Sequence, residues 1–361
     1  MRAIRLGSSL LLLVAATSYA ATLHVCPDGS GDFPTIQAAV DAASSGDTIA
    51  LCDATFIGPG NRDVRVEEQL EFSGPATIDC EGEGRAFLLY ADCGFYGLTF
   101  RNGSANSGGA IYAAPPDIGA RIFGCRFENN SAVSGGAIHL DSWDLAVANR
   151  GEFFVSDTIF LENHTSGSSG VIKMLGVNAH FVGCRFERNT AGGYGGIMHN
   201  VNASTLFEEC LFVDNEAEGR GGVTSCEYVT FRRCTLVGNR AGAGAHIDLG
   251  FDNVASIDHC ILAFGRGGGS IVCDEIGEIH VICSDIFGNV GGDWPSCIED
   301  QQDENLSIDP RFCPFDYTLR EDSPCAPDHS GDCDLIGALP VACGTTAIDA
   351  KSWGSVKALY R

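Results

Sequence analysis

Large apolar residues recur along the chain with a long period. Phe100, Phe127, Phe160, Phe186, Phe212, Leu236, Leu262 and Ile286 are separated by 27, 33, 26, 26, 24, 26 and 24 residues. Around them one short frame returns. Residues 100–111 and 127–138 align without a gap, each running from Phe through a polar turn and a Gly-Gly pair to Ala-Ile. Short runs of Phe, Val, Ile and Thr broken by Gly, Asn and Ser describe strands and turns. The period is too short for a helical pair or a propeller blade, and the helical segment of a leucine-rich repeat is missing. One such coil cannot bury its inner face alone, but coils stacked at about 4.8 Å pair every backbone group with the neighbours above and below. The pattern therefore predicts an all-β chain, a right-handed parallel β-helix (solenoid), with coils over residues 48–290. Eight anchors give a rod of roughly 40 Å. The longest interval carries an insertion around Ser142 to Gly151.

Individual columns of the repeat have physical roles. Cys125, Cys184, Cys210, Cys234, Cys260 and Cys283 are read as standing two residues before the anchors, on the same inward face. There they fill a narrow corner as small buried thiols, with stacked disulfides or a metal column as alternatives. Asn130, Asn163, Asn189, Asn215, Asn239 and Asn289 form a second column, expected to mark a left-handed turn and to bond along the stack. The pairs Gly108-Gly109, Gly135-Gly136, Gly195-Gly196 and Gly221-Gly222 permit another sharp corner.

An open coil exposes strand edges, so both ends need covering. Within residues 21–47, Pro34 suits a first helical position. Ile36, Ala39, Val40 and Ala43 then make an apolar stripe that Gly46 terminates, which predicts an N-terminal capping helix. After Asn289 the repeat fades. Residues 291–343 are acidic, proline-bearing and rich in Cys (Cys297, Cys313, Cys325, Cys333, Cys343), as in an irregular disulfide-rich C-terminal cap of undetermined connectivity. Residues 344–361 follow as a tail, with Trp353, Val356 and Leu359 on one helical face: a docking tail, or a helix packed on the last coil.

The first twenty residues read as a leader, not as fold. Arg2 and Arg5 precede the apolar run Leu10 to Ala16, and Ser18-Tyr19-Ala20 places small residues at the −3 and −1 positions of a cleavage site. That is the pattern of a secretory signal peptide, too short to span a bilayer. No later stretch is apolar enough to cross a membrane. Seventeen cysteines suit the oxidising compartment beyond, and with no CxxC pair a zinc ribbon has no support. The odd count leaves at least one thiol outside intramolecular pairs. A net charge of −25 repels nucleic acid and anionic membrane, and polyanionic pectin too unless cations intervene.

Three segments carry a resemblance. The opening stretch from Val25 to Leu51 resembles the N-terminal cap and first strand of the pectin lyase-like superfamily of right-handed β-helices. The FxxN and GGAI elements, as in Phe127 to Ile138, are similar to repeats of the polymorphic outer membrane proteins of bacteria. The stretch from Asp309 to Cys325, followed by Asp334 to Leu339, looks like the closing cap of secreted bacterial β-helix proteins. The resemblance implies architecture more than activity, because that fold hosts lyases, hydrolases, esterases, epimerases and non-catalytic adhesins. Those repeat proteins end in a membrane β-barrel, and no alternating apolar strands follow the cap here.

Traces of the superfamily's enzymes are few. There is no GHG, no RIK and no adjacent Asp-Asp. The best remaining cluster lies on the strand after each Gly-Gly corner, where Tyr112, His139, Met198, Thr224 and Asp248 align, with Lys173 or Ile172 in the irregular coil. Asp141, His199 and His246 lie close by in sequence. His139, Asp141, Lys173, His199 and Asp248 are the candidate glycan-binding residues; Met198 and Thr224 interrupt the row, and a solvated strand face is the plainer reading. The acidic stretch Asp293, Glu299, Asp300, Asp303, Glu304 and Asp309 offers Ca²⁺ ligands without the spacing of an EF-hand or a β-roll. The expectation is a secreted or cell-surface β-helix without catalysis, presenting its lateral face to polysaccharide or a surface protein. The alternative is a polysaccharide lyase or glycoside hydrolase with an unfamiliar site.

Overall fold

The computed structural model describes residues 20–113, 118–141, 153–250, 254–273 and 278–344; the insertion, the tail beyond 344 and all but the last residue of the leader lie outside them. Short strands stack coil on coil into parallel sheets of 18, 10 and 7 strands, with a two-stranded pair near the C-terminus. The result is an all-β solenoid whose coil strands run from Thr48 to Phe287.

Three corners close each coil, and each turns on one left-handed residue. In a single coil these are Gly124 (φ 59°), Asn129 (φ 54°) and Gly135 (φ 64°), and the equivalent positions repeat along the stack. Gly carries no penalty there, and short polar residues carry little. Between corners the side chains alternate inward and outward.

The anchors form one inward column of ten, from Phe56 and Ile78 through Phe100 to Ile286, in register from coil to coil and buried throughout. Rings stack directly: Phe127 to Phe160 at 5.0 Å, Phe160 to Phe186 at 4.9 Å and Phe186 to Phe212 at 4.9 Å between centroids. Offset-stacked pairs add to the burial of each ring.

The neighbouring columns refine the sequence reading. Cys125, Cys184, Cys210, Cys234 and Cys260 do point inward as free thiols, at most 2% exposed. Cys283 does not belong with them. It stands three residues before Ile286, not two, and so falls on the left-handed corner (φ 48°), where it bonds to Cys333. Ser284 takes the rung instead, its Oγ accepting the Cys260 N–H at 3.0 Å. The Asn column is likewise displaced from the left-handed position. The residue before each Asn turns, as at Asn129, Glu162 and Arg188. The ladder asparagines point inward, fully buried, and each Nδ2 donates to the next Oδ1: Asn130 to Asn163, Asn163 to Asn189, Asn189 to Asn215 and Asn215 to Asn239, all at 3.0 Å.

The ladder then meets a coil with Gly265 where Asn is expected, and a histidine bridges the gap. Asn239 Nδ2 lies 3.2 Å from His246 Nδ1, and His246 Nε2 lies 2.9 Å from Asn289 Oδ1. Asp293 ends the column, accepting the Asn289 Nδ2 at 2.8 Å and its backbone N–H at 2.7 Å.

Both ends are covered. The helix Ile36–Ala42 packs Ile36, Ala39 and Val40 over the first coils. Thr35 is its N-cap, so Pro34 stands just before the helix and not at its first position. At the other end three disulfides fasten irregular chain: Cys273–Cys297, Cys283–Cys333 and Cys313–Cys343. The first two tie the cap to the last coils. Cys325 stays a free buried thiol, 3.3 Å from Asp285 Oδ2.

Candidate functional site

The widest face of the solenoid belongs to the 18-stranded sheet. Each coil contributes two strands to it, such as Ile138–Asp141 and Phe153–Ser156, and the continuous strand Met198–Glu208 spans both halves. Side chains on its outer side therefore form two sets of columns running along the solenoid axis.

The first set contains the row foreseen from sequence, shifted by one residue in two coils. Register pairs Tyr112 with His139, His139 with Lys173, Lys173 with His199, His199 with Ser225 and Ser225 with Asp248. Met198 and Thr224 are buried on the inner side and do not interrupt it. The row is polar without a break. The reason is the parity of a strand: a one-residue slip in alignment moves a side chain to the opposite face. Asp141 closes its strand, in register with Leu175. His246 is inside, in the Asn ladder, so it plays no part in this surface.

Contacts divide the row into two groups. Tyr112 meets His139 edge to face at 5.4 Å, and the Arg85 guanidinium lies 5.0 Å above the Tyr112 ring. His139 Nδ1 is 3.3 Å from the Ser134 carbonyl, and Lys173 Nζ is 2.9 Å from His199 Nδ1. Burial, and then the Lys173 charge, hold His199 down to about 4, so its imidazole is neutral at pH 7 and accepts from the ammonium. Farther along, Asp248 accepts from Ser225 Oγ at 2.8 Å and lies 2.9 Å from Arg220 Nε. Three coils separate Lys173 from Asp248, about 14 Å at the coil spacing. The candidate acid and base groups do not converge on one point.

The second set was not foreseen. On the strands Cys93–Tyr96, Ala120–Phe123, Phe153–Ser156 and Ala179–Val182, the residues Phe95, Ile122, Val155 and Phe181 point inward and are fully buried. Their neighbours Tyr96, Phe123, Phe154 and His180 point out and are half-buried. Tyr96 stacks on Phe123 at 5.3 Å with planes 2° apart; Phe123 lies 5.4 Å from Phe154, and Phe154 lies 5.3 Å from His180. Four rings thus climb the outer face, one per coil, in two adjoining columns. Register pairs Tyr96 with Phe123 and Phe154 with His180, while Phe123 stands opposite Ser156 and Phe154 opposite Arg121, so the stripe steps sideways by two residues between Phe123 and Phe154. The alternation does reveal them once the left-handed corner at Gly97, Gly124, Asp157 and Gly183 is placed, because that corner flips the parity between these strands and the anchors.

Polar groups edge this aromatic stripe as matched pairs. Arg121 Nη2 is 2.7 Å from Glu71 Oε1. His180 Nε2 is 2.6 Å from Glu208 Oε2, whose other oxygen is 2.7 Å from Arg232 Nη1. Gly94 sits beneath Glu71, and a Cβ there would collide with its carboxylate. Hollows open on both sides of Phe154, one towards Glu71 and Arg121, the other towards Thr230 and Arg232.

Comparison with known proteins bears on the architecture. Residues 124–141 match the Chlamydia polymorphic membrane protein repeat. No curated protein matches the chain by sequence. Among solved structures the chain is similar to the crystal structure of pectate lyase Pel9A, with a TM-score of 0.54 over 90% of this chain and 97% of that one at 12% identity. The fold is that of a pectin lyase-like β-helix. A rhamnogalacturonan lyase lies farther off, at a TM-score of 0.42 and 12% identity, over 73% of this chain and 87% of that one. At these identities the likeness concerns the fold and not the chemistry. Among the described residues no cluster of three or more His, Cys, Asp or Glu is placed to hold a metal ion. Asp293, first of the acidic stretch, is engaged in closing the Asn ladder. No helix of the described residues is long and apolar enough to cross a membrane.

Proposed function

We propose that this is a secreted or cell-surface β-helix that binds an extended glycan along its wide lateral face, without cleaving it. The observation that carries the reading is the outward aromatic stripe of Tyr96, Phe123, Phe154 and His180, with its rings 5.3 to 5.4 Å apart. That spacing is close to the length of one hexopyranose residue in an extended chain, so each coil offers one ring to one sugar. The ring surfaces left open by these mutual contacts meet the apolar C–H groups of a sugar, and the edging Glu71, Arg121, Glu208 and Arg232 offer hydrogen bonds to hydroxyls. The basic groups there are already paired with carboxylates, and the chain is strongly acidic, which favours a neutral glycan over a polyuronate. Lys173 and His199, one half-sheet away, are half-buried on the same face and widen the polar border, whereas His139 and Asp248 in that row are buried.

The reading is tested by affinity electrophoresis of the folded chain against neutral polysaccharides (a β-glucan, a xylan, a mannan) and against polygalacturonate. Retardation by a neutral polymer is expected, and Phe154→Ala weakens it by about tenfold or more through the loss of a buried ring contact. Equal retardation of wild type and Phe154→Ala, or none with any neutral polymer, overturns it. The lyase or hydrolase alternative needs acid and base groups within reach of one glycosidic bond, for hydrolases about 5 to 9.5 Å apart. Release of unsaturated or reducing ends in the same incubations would establish that alternative instead.

A further inference from the structure

At the N-terminal end the strand Thr22–Val25 pairs in parallel with Thr48–Leu51, and Val25 stands opposite Leu51. The next residue on each is cysteine. Cys26 and Cys52 are therefore neighbours across adjacent coils, and the pairing continues into them, since the Cys52 N–H donates to the Val25 carbonyl at 3.1 Å. Stacked strands hold opposing Cα atoms about 4.8 Å apart, within the roughly 4.4 to 6.8 Å that a disulfide spans. Val25 and Leu51 face the core, so alternation turns the two cysteines together towards the outside. Cys52 is half-buried, and Cys26 beside it is 9% exposed.

We propose that Cys26 and Cys52 form a fourth disulfide when the protein meets an oxidising compartment, stapling the N-terminal cap to the first coil. Exposure sets this pair apart. Cys184, Cys210, Cys234 and Cys260 stack at the same coil spacing but are at most 1% exposed, so no oxidant reaches them in the folded state. The three disulfides already formed fasten only the C-terminal end. The oxidant is a small disulfide such as oxidised glutathione. One cysteine, deprotonated, attacks it and expels a thiolate; the second attacks the mixed disulfide and expels the other. Two protons and two electrons leave the protein, and the oxidant departs as two thiols. Burial, and then the neighbouring Cys26 thiol, push Cys52 up to about 11, so the step is slow at neutral pH and quickens as pH rises.

The test is peptide mapping without reductant on the folded chain, purified free of reductant and incubated with oxidised glutathione at pH 8.5. A protease that cuts before aspartate separates Cys26 from Cys52 at Asp28, Asp32, Asp41 and Asp47. The expected result is one linked species carrying both cysteines, two hydrogens lighter than the separate peptides, beside the linked Cys313–Cys343 peptides as internal control. Of the eleven free thiols, nine then remain for alkylation after denaturation. Alkylated Cys26 and Cys52 in a sample whose Cys313–Cys343 link is intact would overturn the proposal. As a second measurement, Cys26→Ser and Cys52→Ser each lower Tm by a few degrees in oxidant and match wild type in reductant. Equal melting in oxidant is the refuting outcome.

Discussion

The bridge at His246 makes the sharpest quantitative prediction. Other coils carry Gly then a small or branched apolar residue at this corner (Gly136-Ala137, Gly170-Val171, Gly196-Ile197, Gly222-Val223) and Asn in the ladder; this coil carries Ala245-His246 and Gly265. The two departures compensate. A Cβ at residue 265 would approach Ala245 Cβ at 2.7 Å and His246 Nε2 at 3.0 Å, so the imidazole occupies the space that a ladder side chain fills elsewhere. Its Nδ1 accepts from Asn239 and its Nε2–H donates to Asn289. Protonation would turn Nδ1 into a donor facing the Asn239 amide, in a fully buried site. Burial accordingly holds the group down to about 4, against 6.5 for an ordinary His. His246→Phe keeps the ring and removes both bonds, leaving a buried Asn239 N–H without its partner. The expected loss is about 3 kcal/mol at pH 7.5. The sign of the pH dependence follows from linkage. The folded pKa is depressed, so the unfolded chain binds the proton more readily between pH 6.5 and 4, and wild-type stability from this group is lost as pH falls through that window. At pH 4.5 the difference between wild type and His246→Phe should shrink to about 0.3 kcal/mol, since two pH units are worth roughly 2.7 kcal/mol. Urea unfolding at both pH values measures it. A difference below about 0.5 kcal/mol at pH 7.5, or one that fails to shrink in acid, refutes the bridge. The triple variant Ala245→Gly, His246→Val, Gly265→Asn restores the repeat and should recover most of the loss with no acid-dependent part.

Three further outcomes follow from other columns. Asp285 is buried, and that burial raises its pKa to about 6; its folded form prefers the proton, so its contribution falls as pH rises from about 3.8 to 6. Asp285→Asn should therefore be neutral or stabilising by about 1 kcal/mol at pH 7 and less favourable at pH 4.5, read by urea unfolding; the reverse order rejects the assignment. Phe186→Ala removes a ring stacked on both sides and should cost about 3–5 kcal/mol, visible as a lower urea midpoint. Gly94→Val should displace the Glu71 carboxylate and weaken glycan retardation without a comparable fall in Tm, since the collision lies on the outer face.

Inward columns were legible in the sequence because stacking constrains them. Phe, Cys and Asn recur at fixed offsets since each must meet its copy one coil above. Errors arose where the offset drifts by one: Cys283 for Ser284, and Met198 and Thr224 for His199 and Ser225. A strand changes face with every residue, so a frame good to one residue settles the fold and still inverts the surface. The left-handed corners were located only in part. Glu162, Arg188, Asp214 and Phe264 all adopt that backbone without the Gly or Asn that normally announces it, because the stacked neighbours impose the turn. The same gap hid the aromatic stripe, whose outward parity depends on one of those corners. His246 was visible only as a histidine near a candidate row. Its role needed the knowledge that Gly265, nineteen residues on, lies beside it.

Outward columns have no stacking requirement, and that is what gives the aromatic stripe its weight. From the coil of His180 onward the outward position is Leu206, then Thr230, Ser256 and His280, so the fold accepts a polar residue there without difficulty. Four successive rings on a half-exposed sheet face bring no core burial that Thr or Ser would forfeit, and they add the hazard of an apolar sheet surface. A row with one ring per coil, stepped sideways by two residues between Phe123 and Phe154, is still a narrower object than a protein interface requires, since a stable protein contact buries about 800 Å² on each side. It fits a linear chain whose repeat equals the coil spacing. If Tyr96→Ser, Phe123→Ser and Phe154→Ser together leave the Tm unchanged but abolish retardation by every neutral polysaccharide, the stripe serves binding. Should the triple variant instead melt well below wild type with retardation intact, those rings belong to the core's economy, and the lateral face has no established ligand.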